Sequence, residues 1–282
     1  MIDTLKTETG ASVRRICTVL GLPRSSYYHA AAPPPRRDDN LVAPVGRVFH
    51  ENRSRYGYRR IARELMYRGL DCGCHAVRRI MRGEGLQALQ PRHFVPRTSD
   101  GKASRPSPNL LSGAPPPEAC DRVWAGDITF IPCIGGWLYL AVVIDLFSRK
   151  IIGWKLACRM DGALVAGALE QAIRSRHPHG TIFHSDRGSQ YSSNCFREVL
   201  RREGLRQSMS GRANPYDNAT TESFIGTLKS ELPIGKAPFK NLAESERELF
   251  AYIDAYYNTR RLHSSLGYRS PSQFEAAQAE AH

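Results

Sequence analysis

The stretches VWAGDITFIP (residues 123–132), WLYLAVVIDLF (137–147) and KIIGWKLA (150–157) decide the architecture of this 282-residue chain. Each is a short run rich in β-branched and aromatic residues and bounded by turn formers, which is the composition of a strand. Gly135-Gly136 closes the first two into a hairpin, so the segment predicts three consecutive antiparallel strands. Downstream the texture alternates. DGALVAGALEQAIRSR (161–176) reads as a helix, GTIFHSD (180–186) as a fourth strand, SSNCFREVLRREG (192–204) as a helix and LRQSMS (205–210) as a fifth strand. Two more helices follow, over 217–232 and 241–261. This order predicts an α/β layer, a mixed five-stranded sheet with helices on both faces.

Within that frame the acids separate by what their positions cost. Asp127 lies inside the first strand and shares a face with Ala125 and Thr129, while Ile128 and Phe130 face the other way. An acid in a central strand is unfavourable unless it is paired or binds metal. Asp186 falls where the fourth strand ends, the place where ligands gather in such sheets. Glu222 lies on the helix after the fifth strand, and Asn218, Glu222 and Lys229 share one face at steps of four and seven. Three carboxylates from two strands and a helix can converge on divalent ions. Hard oxygen ligands suit Mg²⁺ or Mn²⁺, which take their remaining ligands from water and phosphate. Two such ions about 4 Å apart serve phosphoryl transfer by activating the attacking oxygen and neutralising the leaving one. Other acids have plainer readings. Asp145 is a turn residue with Arg149 nearby, Asp161 starts a helix, and Asp217 caps the Glu222 helix. His184 is on the strand side of Asp186 and reads as a satisfied structural histidine or as a lining of the site. FAYIDAYYN (250–258) reads as core packing.

Basic residues concentrate at the other end. The chain carries a net charge of +13, and residues 1–120 hold twice as many basic as acidic side chains, whereas 121–282 are nearly balanced. The skew predicts a polyanion-binding half and a half with another task. Residues 1–30 form a helical, helix-turn-helix-like segment around Gly21-Leu22-Pro23, with Val13, Ile16, Val19 and Leu20 at helical spacing. Residues 31–40 are a linker. Residues 41–89 form a second helix-turn-helix-like module, with Ile61, Leu65 and Met66 marking one helix and Val77, Ile80 and Met81 the next. Arg78, Arg79 and Arg82 lie on or beside that second helix, where a recognition helix presents DNA contacts; a solvated basic face is the alternative. Residues 90–121 are a Pro-rich linker, with Arg92, Arg97, Lys102 and Arg105 able to touch a DNA backbone, and residues 122–282 hold the sheet and a helical tail.

The seven cysteines include no CxxC pair, which argues against a zinc ribbon or a disulfide framework. No signal core or membrane span is evident, so the expected location is the cytoplasm, with no membrane partner.

The element order is that of the ribonuclease H-like fold, and the motifs carry a closer resemblance. WAGDIT (124–129), HSDRGSQY (184–191) and NPYDNATTESFIGTLKSE (214–231) resemble the catalytic core of DDE transposases and retroviral integrases, including their D-35-E spacing between Asp186 and Glu222. YIDAYYNTRRLHSSLGYRSP (252–271) is similar to the tail of bacterial insertion-sequence OrfB transposases, and 41–86 resembles the helix-turn-helix segment preceding their core. The resemblance implies a ribonuclease H-like catalytic core preceded by small all-helical helix-turn-helix modules. It makes Asp127, Asp186 and Glu222 the catalytic, metal-binding triad, holding two Mg²⁺ or Mn²⁺ ions. Lys229 and, with it, Asn218 become DNA contacts. The implied reaction is 3′-end nicking followed by strand transfer, with no covalent protein–DNA intermediate. The implied partners are the double-stranded element ends and target DNA, further copies of the chain on DNA, and the upstream-frame OrfA protein. The implied setting is bacterial and nucleoid-associated. A nuclease without strand transfer and a silent DNA-binding relic remain the rival readings.

Overall fold

The computed structural model describes residues 1–31, 39–89, 106–211, 218–232 and 238–280. Two units, Met1–Ala88 and Leu89–His282, are each described by themselves.

In the second unit, β1 (Val123–Cys133), β2 (Gly136–Asp145) and β3 (Ile151–Ala157) form an antiparallel meander. β4 (Ile182–Ser185) runs parallel to β1, and β5 (Arg206–Met209) runs parallel to β4, giving the order β3-β2-β1-β4-β5. This is the expected five-stranded mixed sheet. The hairpin turn falls one residue earlier than expected: Cys133 pairs with Gly136, leaving Ile134-Gly135 as a two-residue loop with Gly135 at φ 89°.

Strand alternation sends Trp124, Ile128, Val143 and Phe183 to one face, where they bury against Leu164, Leu169, Phe196 and Leu200. Those partners come from α7 (Gly162–Arg176) and α8 (Asn194–Arg202). Asp161 starts α7 as expected, its Oδ1 accepting from Leu164 N at 3.1 Å. On the opposite face lie Asp127, its cross-strand partner Val142 and that residue's partner Trp154. Trp154 Nε1 donates to Asp254 Oδ2 at 2.9 Å. α9 (Ala219–Glu231) packs beside β1, and α10 (Leu242–Tyr252) beside β3.

The C-terminal segment departs from the single long helix expected over 241–261. After α10 the backbone widens into one π-helical turn, Ile253–Tyr257. The following Asn258 pairs with the β3 edge through both ends of its amide: Ile151 N donates to Oδ1 at 2.9 Å, and Nδ2 donates to Ile151 O at 2.9 Å. A side chain thereby satisfies a strand edge that would otherwise be open. α11 (Pro271–Glu280) brings Glu275 to Lys150 and Arg176. The far edge is covered too. Ser107 Oγ donates to Gln207 Oε1, Leu110 N to Ser208 Oγ and Met209 N to Pro108 O, so the stretch from Ser107, expected as linker, runs along β5. Residues 90–105, with Arg92, Arg97, Lys102 and Arg105, lie outside the described residues.

The first unit is helical: α1 (Ile2–Thr9), α2 (Val13–Val19), α3 (Arg24–Ala31), α4 (Asp39–Glu51), α5 (Tyr58–Tyr67) and α6 (Cys74–Gly83). α2 and α3 flank Gly21-Leu22-Pro23 as expected, but of the four apolar residues at helical spacing only Ile16 is buried, with Cys17 beside it; Val19 is 78% exposed. α4, α5 and α6 share a core of Val45, Val48, Phe49, Ile61, Leu65, Val77 and Ile80. Met66, expected on the buried stripe of α5, points to solvent. Arg68 joins Glu51 of α4 and Glu64 of α5 at 2.7 and 2.9 Å.

Candidate active site

The β1–β4 register decides where the acids meet. Val123, Trp124 and Ala125 pair with Ile182, Phe183 and His184. The pairing ends at Ala125–His184; Asp127 follows two residues further along β1, and Asp186 comes directly after Ser185, the last residue of β4. Glu222 lies exposed on α9, the helix that packs beside β1. Asp127 registers both neighbours. Burial, then the charge of Asp186, and more weakly that of Glu222, push its carboxyl up to about 7 against the pull of the Ile128 N–H and Lys229.

Local contacts hold the first two acids in place. Asp127 Oδ1 accepts from Ile128 N at 2.7 Å, and Asp186 Oδ1 accepts from Gly188 N at 2.9 Å. Each carboxylate thus turns one oxygen back on the main chain. Among the described residues, no three His, Cys, Asp or Glu side chains stand close enough to hold one ion as they are. The chemistry of the set nonetheless fits a hard divalent cation. It offers carboxylate oxygens only, and a bound cation would offset the like charges that raise Asp127.

Two glycines that sequence reasoning passed over shape the site. A Cβ on Gly126 would sit 2.5 Å from Phe183 Cζ and 3.2 Å from the Tyr191 hydroxyl, so the strand carrying Asp127 closes on that core only through a missing side chain. A Cβ on Gly188 would stand 3.0 Å from Asp186 Oδ1. The signal available in the sequence was a glycine directly before Asp127 and another two residues after Asp186.

The remaining expectations sort by contact. His184 is fully buried with Nδ1 on Ser208 Oγ (2.8 Å) and Nε2 on Ser210 Oγ (3.1 Å), the satisfied structural histidine. Asp145 is a turn residue: its Oδ1 accepts from Phe147 N and Ser148 N, and its Oδ2 from Asp121 N. Arg149 lies near it as expected, its N–H donating to Asp145 O at 2.9 Å, while its guanidinium donates to Thr220 Oγ1 in the first turn of α9. Lys229 is part-buried; burial lowers its pKa while the charge of Asp127 works the other way. Asn218, expected to touch DNA, precedes α9 and is only 6% exposed, its Nδ2 reaching Gly126 O at 3.5 Å; that burial takes it out of reach of a DNA backbone. Asp217 lies outside the described residues. Arg78, Arg79 and Arg82 are exposed on α6, and Arg78 stacks over the Tyr58 ring at 5.6 Å.

Comparison with known proteins identifies the family. The Integrase core domain family matches residues 117–215, a second Integrase core domain family matches 203–271, and the HTH-like domain family matches 35–94. The transposase for insertion sequence element IS904 of Lactococcus lactis subsp. lactis is 45% identical over 83% of this chain and 93% of its own length. The chain belongs to the insertion-sequence transposases with an integrase core. Transposase InsF for insertion sequence IS3A of Escherichia coli K12 is 36% identical over 94% of both chains. Among solved structures, a simian T-cell lymphotropic virus intasome in complex with PP2A regulatory subunit B56 gamma aligns with TM-score 0.47 at 16% identity, covering 82% of this chain and 74% of that one. Among the described residues of the transposase, no helix is long and apolar enough to cross a membrane.

The raised Asp127 carboxyl makes a testable statement about the metal-free protein. Its folded value near 7 exceeds the ordinary 3.8, so the native state binds this proton more tightly than the unfolded chain. Stability contributed by the protonated form is therefore present below about pH 4 and is lost as pH rises toward 7, by at most about 4 kcal/mol. In chelator, Asp127→Asn should melt above wild type at pH 8 and converge with it at pH 4. Adding Mg²⁺ at pH 8 should raise the melting temperature of wild type only. Thermal scans at the two pH values check this, and parallel curves would reject it.

Proposed function

We propose that the transposase nicks the 3′ ends of its insertion sequence and joins them to target DNA by a DDE mechanism, with Asp127, Asp186 and Glu222 as the acidic triad. The observation that supports the reading is that the buried Asp127 carboxyl on β1 responds to the charges of Asp186, just past β4, and of Glu222, on the helix packed beside β1. In this reading the triad holds two divalent ions, Mg²⁺ or Mn²⁺, which neutralise charge on the attacking and leaving oxygens. The protein's share is positioning. Main-chain N–H groups fix Asp127 and Asp186, and Lys229 sets a positive charge beside Asp127. The 3′-OH freed by the first step is the nucleophile of the second, so no side chain needs to bond to DNA. Two ends must meet, and the working species holds at least two chains bridging them, with the upstream-frame OrfA protein contributing to end recognition. The test is incubation of the full chain with Mg²⁺ and labelled DNA bearing the element's ends, followed by sequencing of junctions. Nicks without junctions would leave a nuclease, and neither product would leave a silent DNA-binding protein.

The α4–α6 unit is assigned to duplex binding, with Arg78, Arg79 and Arg82 on its exposed last helix. Neutralising all three to Gln should flatten the plot of log affinity against log salt by about two to three units. Fluorescence anisotropy across a salt series measures this, and an unchanged slope would return the arginines to a merely solvated face.

A further inference from the structure

Arg187 follows Asp186 directly, yet it does not neutralise it. The Asp186 carboxylate is taken by Gly188 N, and the Arg187 side chain turns to β5, where its Nε donates to Ser210 O at 2.9 Å. Ser210 is itself in place, because its N–H donates to Ser185 O at 2.9 Å and its hydroxyl meets the His184 ring. The β4–β5 register pairs Ser185 with Met209, so Asp186 and Ser210 each follow directly on the last residue of a paired strand. Arg187 is therefore anchored at the end of the sheet that carries the acids. Among the described residues it forms no ion pair, and the Nε bond is the one contact its guanidinium makes. A part-buried guanidinium fixed at Nε presents its two terminal nitrogens as a planar fork, the arrangement that matches phosphate oxygens bidentately.

We propose that Arg187 grips a backbone phosphate of the DNA strand that enters the acid site, next to the phosphate being cut. The proposal rests on the transposase reading but is tested through binding, so the two can fail separately. Salt-dependent affinity for a labelled duplex carrying the element's end is measured in full-length Glu222→Gln protein, which leaves the DNA intact. Arg187→Gln in that background should make the log–log slope less steep by about one, while Arg187→Lys, which keeps the charge and loses the Nε anchor, should retain it. On wild-type sequence otherwise, Arg187→Gln should also slow end cleavage, with partial recovery in Arg187→Lys. Loss of cleavage by Arg187→Gln at an unchanged slope would make Arg187 a brace for the loop and overturn the proposal. If Arg187→Gln lowers the melting temperature, Arg187→Met, which keeps the apolar stem and removes the charge, takes its place: a slope less steep by about one supports the phosphate contact and an unchanged slope overturns it. The slope reads Arg187 whether or not the chain cuts, so absent cleavage by wild type would reject the parent reading without touching this measurement.

Discussion

Asp127→Asn, Asp186→Asn and Glu222→Gln should each lower end nicking and joining by on the order of a thousandfold or more, with folding and duplex binding retained. The three acids act as one charge set: Asp127 already responds to the other two, so removing any one changes the field at the remaining pair. Effects within such a unit are not additive, and double amide variants should fall little further than singles. Amide substitution preserves shape, and the N–H bonds from Ile128 and Gly188 can still be accepted by the amide oxygen. Single-turnover cleavage of a labelled end, beside anisotropy with the same DNA, separates chemistry from binding. An Asp186→Asn protein that cleaves at near-normal rate would remove Asp186 from the site.

The largest effect on stability belongs to a pair remote from the acids. Glu231, at the end of α9, receives Arg261 Nε and Nη2 at 2.7–3.0 Å, and Tyr252 Oη donates to its Oε2 at 3.0 Å. Both charged side chains are about 95% buried. Burial works against the Arg261 charge, yet the Glu231 contacts outweigh it and hold the guanidinium above its ordinary range. Removing one partner leaves the other's charge buried without its counter-ion, so Glu231→Leu or Arg261→Leu should cost about 3–5 kcal/mol. The double variant should recover much of that loss, because two apolar side chains leave no charge unpaired. Urea unfolding of the four proteins closes the cycle. Equal losses in single and double variants would mean that the pair is not what holds α9 to the tail.

Much of the catalytic unit was legible because its signals are local. Strand alternation gave Asp127 its face, the strand end gave Asp186 its position, and helical spacing linked Glu222 to Lys229. What escaped depends on partners distant in the chain. Asn258 reads as an ordinary helix residue until β3 edge groups at Ile151 lie beside it. The π-helical turn before it shifts the register that a continuous helix over 241–261 would have kept. Asn218 keeps step with Glu222 along the chain, but α9 begins one residue later and turns Asn218 into the sheet. Within the helical stretch read over 1–30, α1 was not singled out for a different reason: it buries none of its residues, so no apolar stripe announces it. The stretch from Ser107 looks like linker because its role is to cover the β5 edge with main-chain and hydroxyl groups, which leave no mark in composition.

The anchoring of α9 by Arg261 has a consequence for synthesis. A chain grows from its N-terminus, so the exposed arginines of α6 emerge well before Glu222, and Glu222 emerges before the residue that fastens its helix. A product released early, by a stop codon or a stalled ribosome, would keep the helical unit and lack a fastened third acid. Such a fragment would carry the α6 arginines without the complete set of acids.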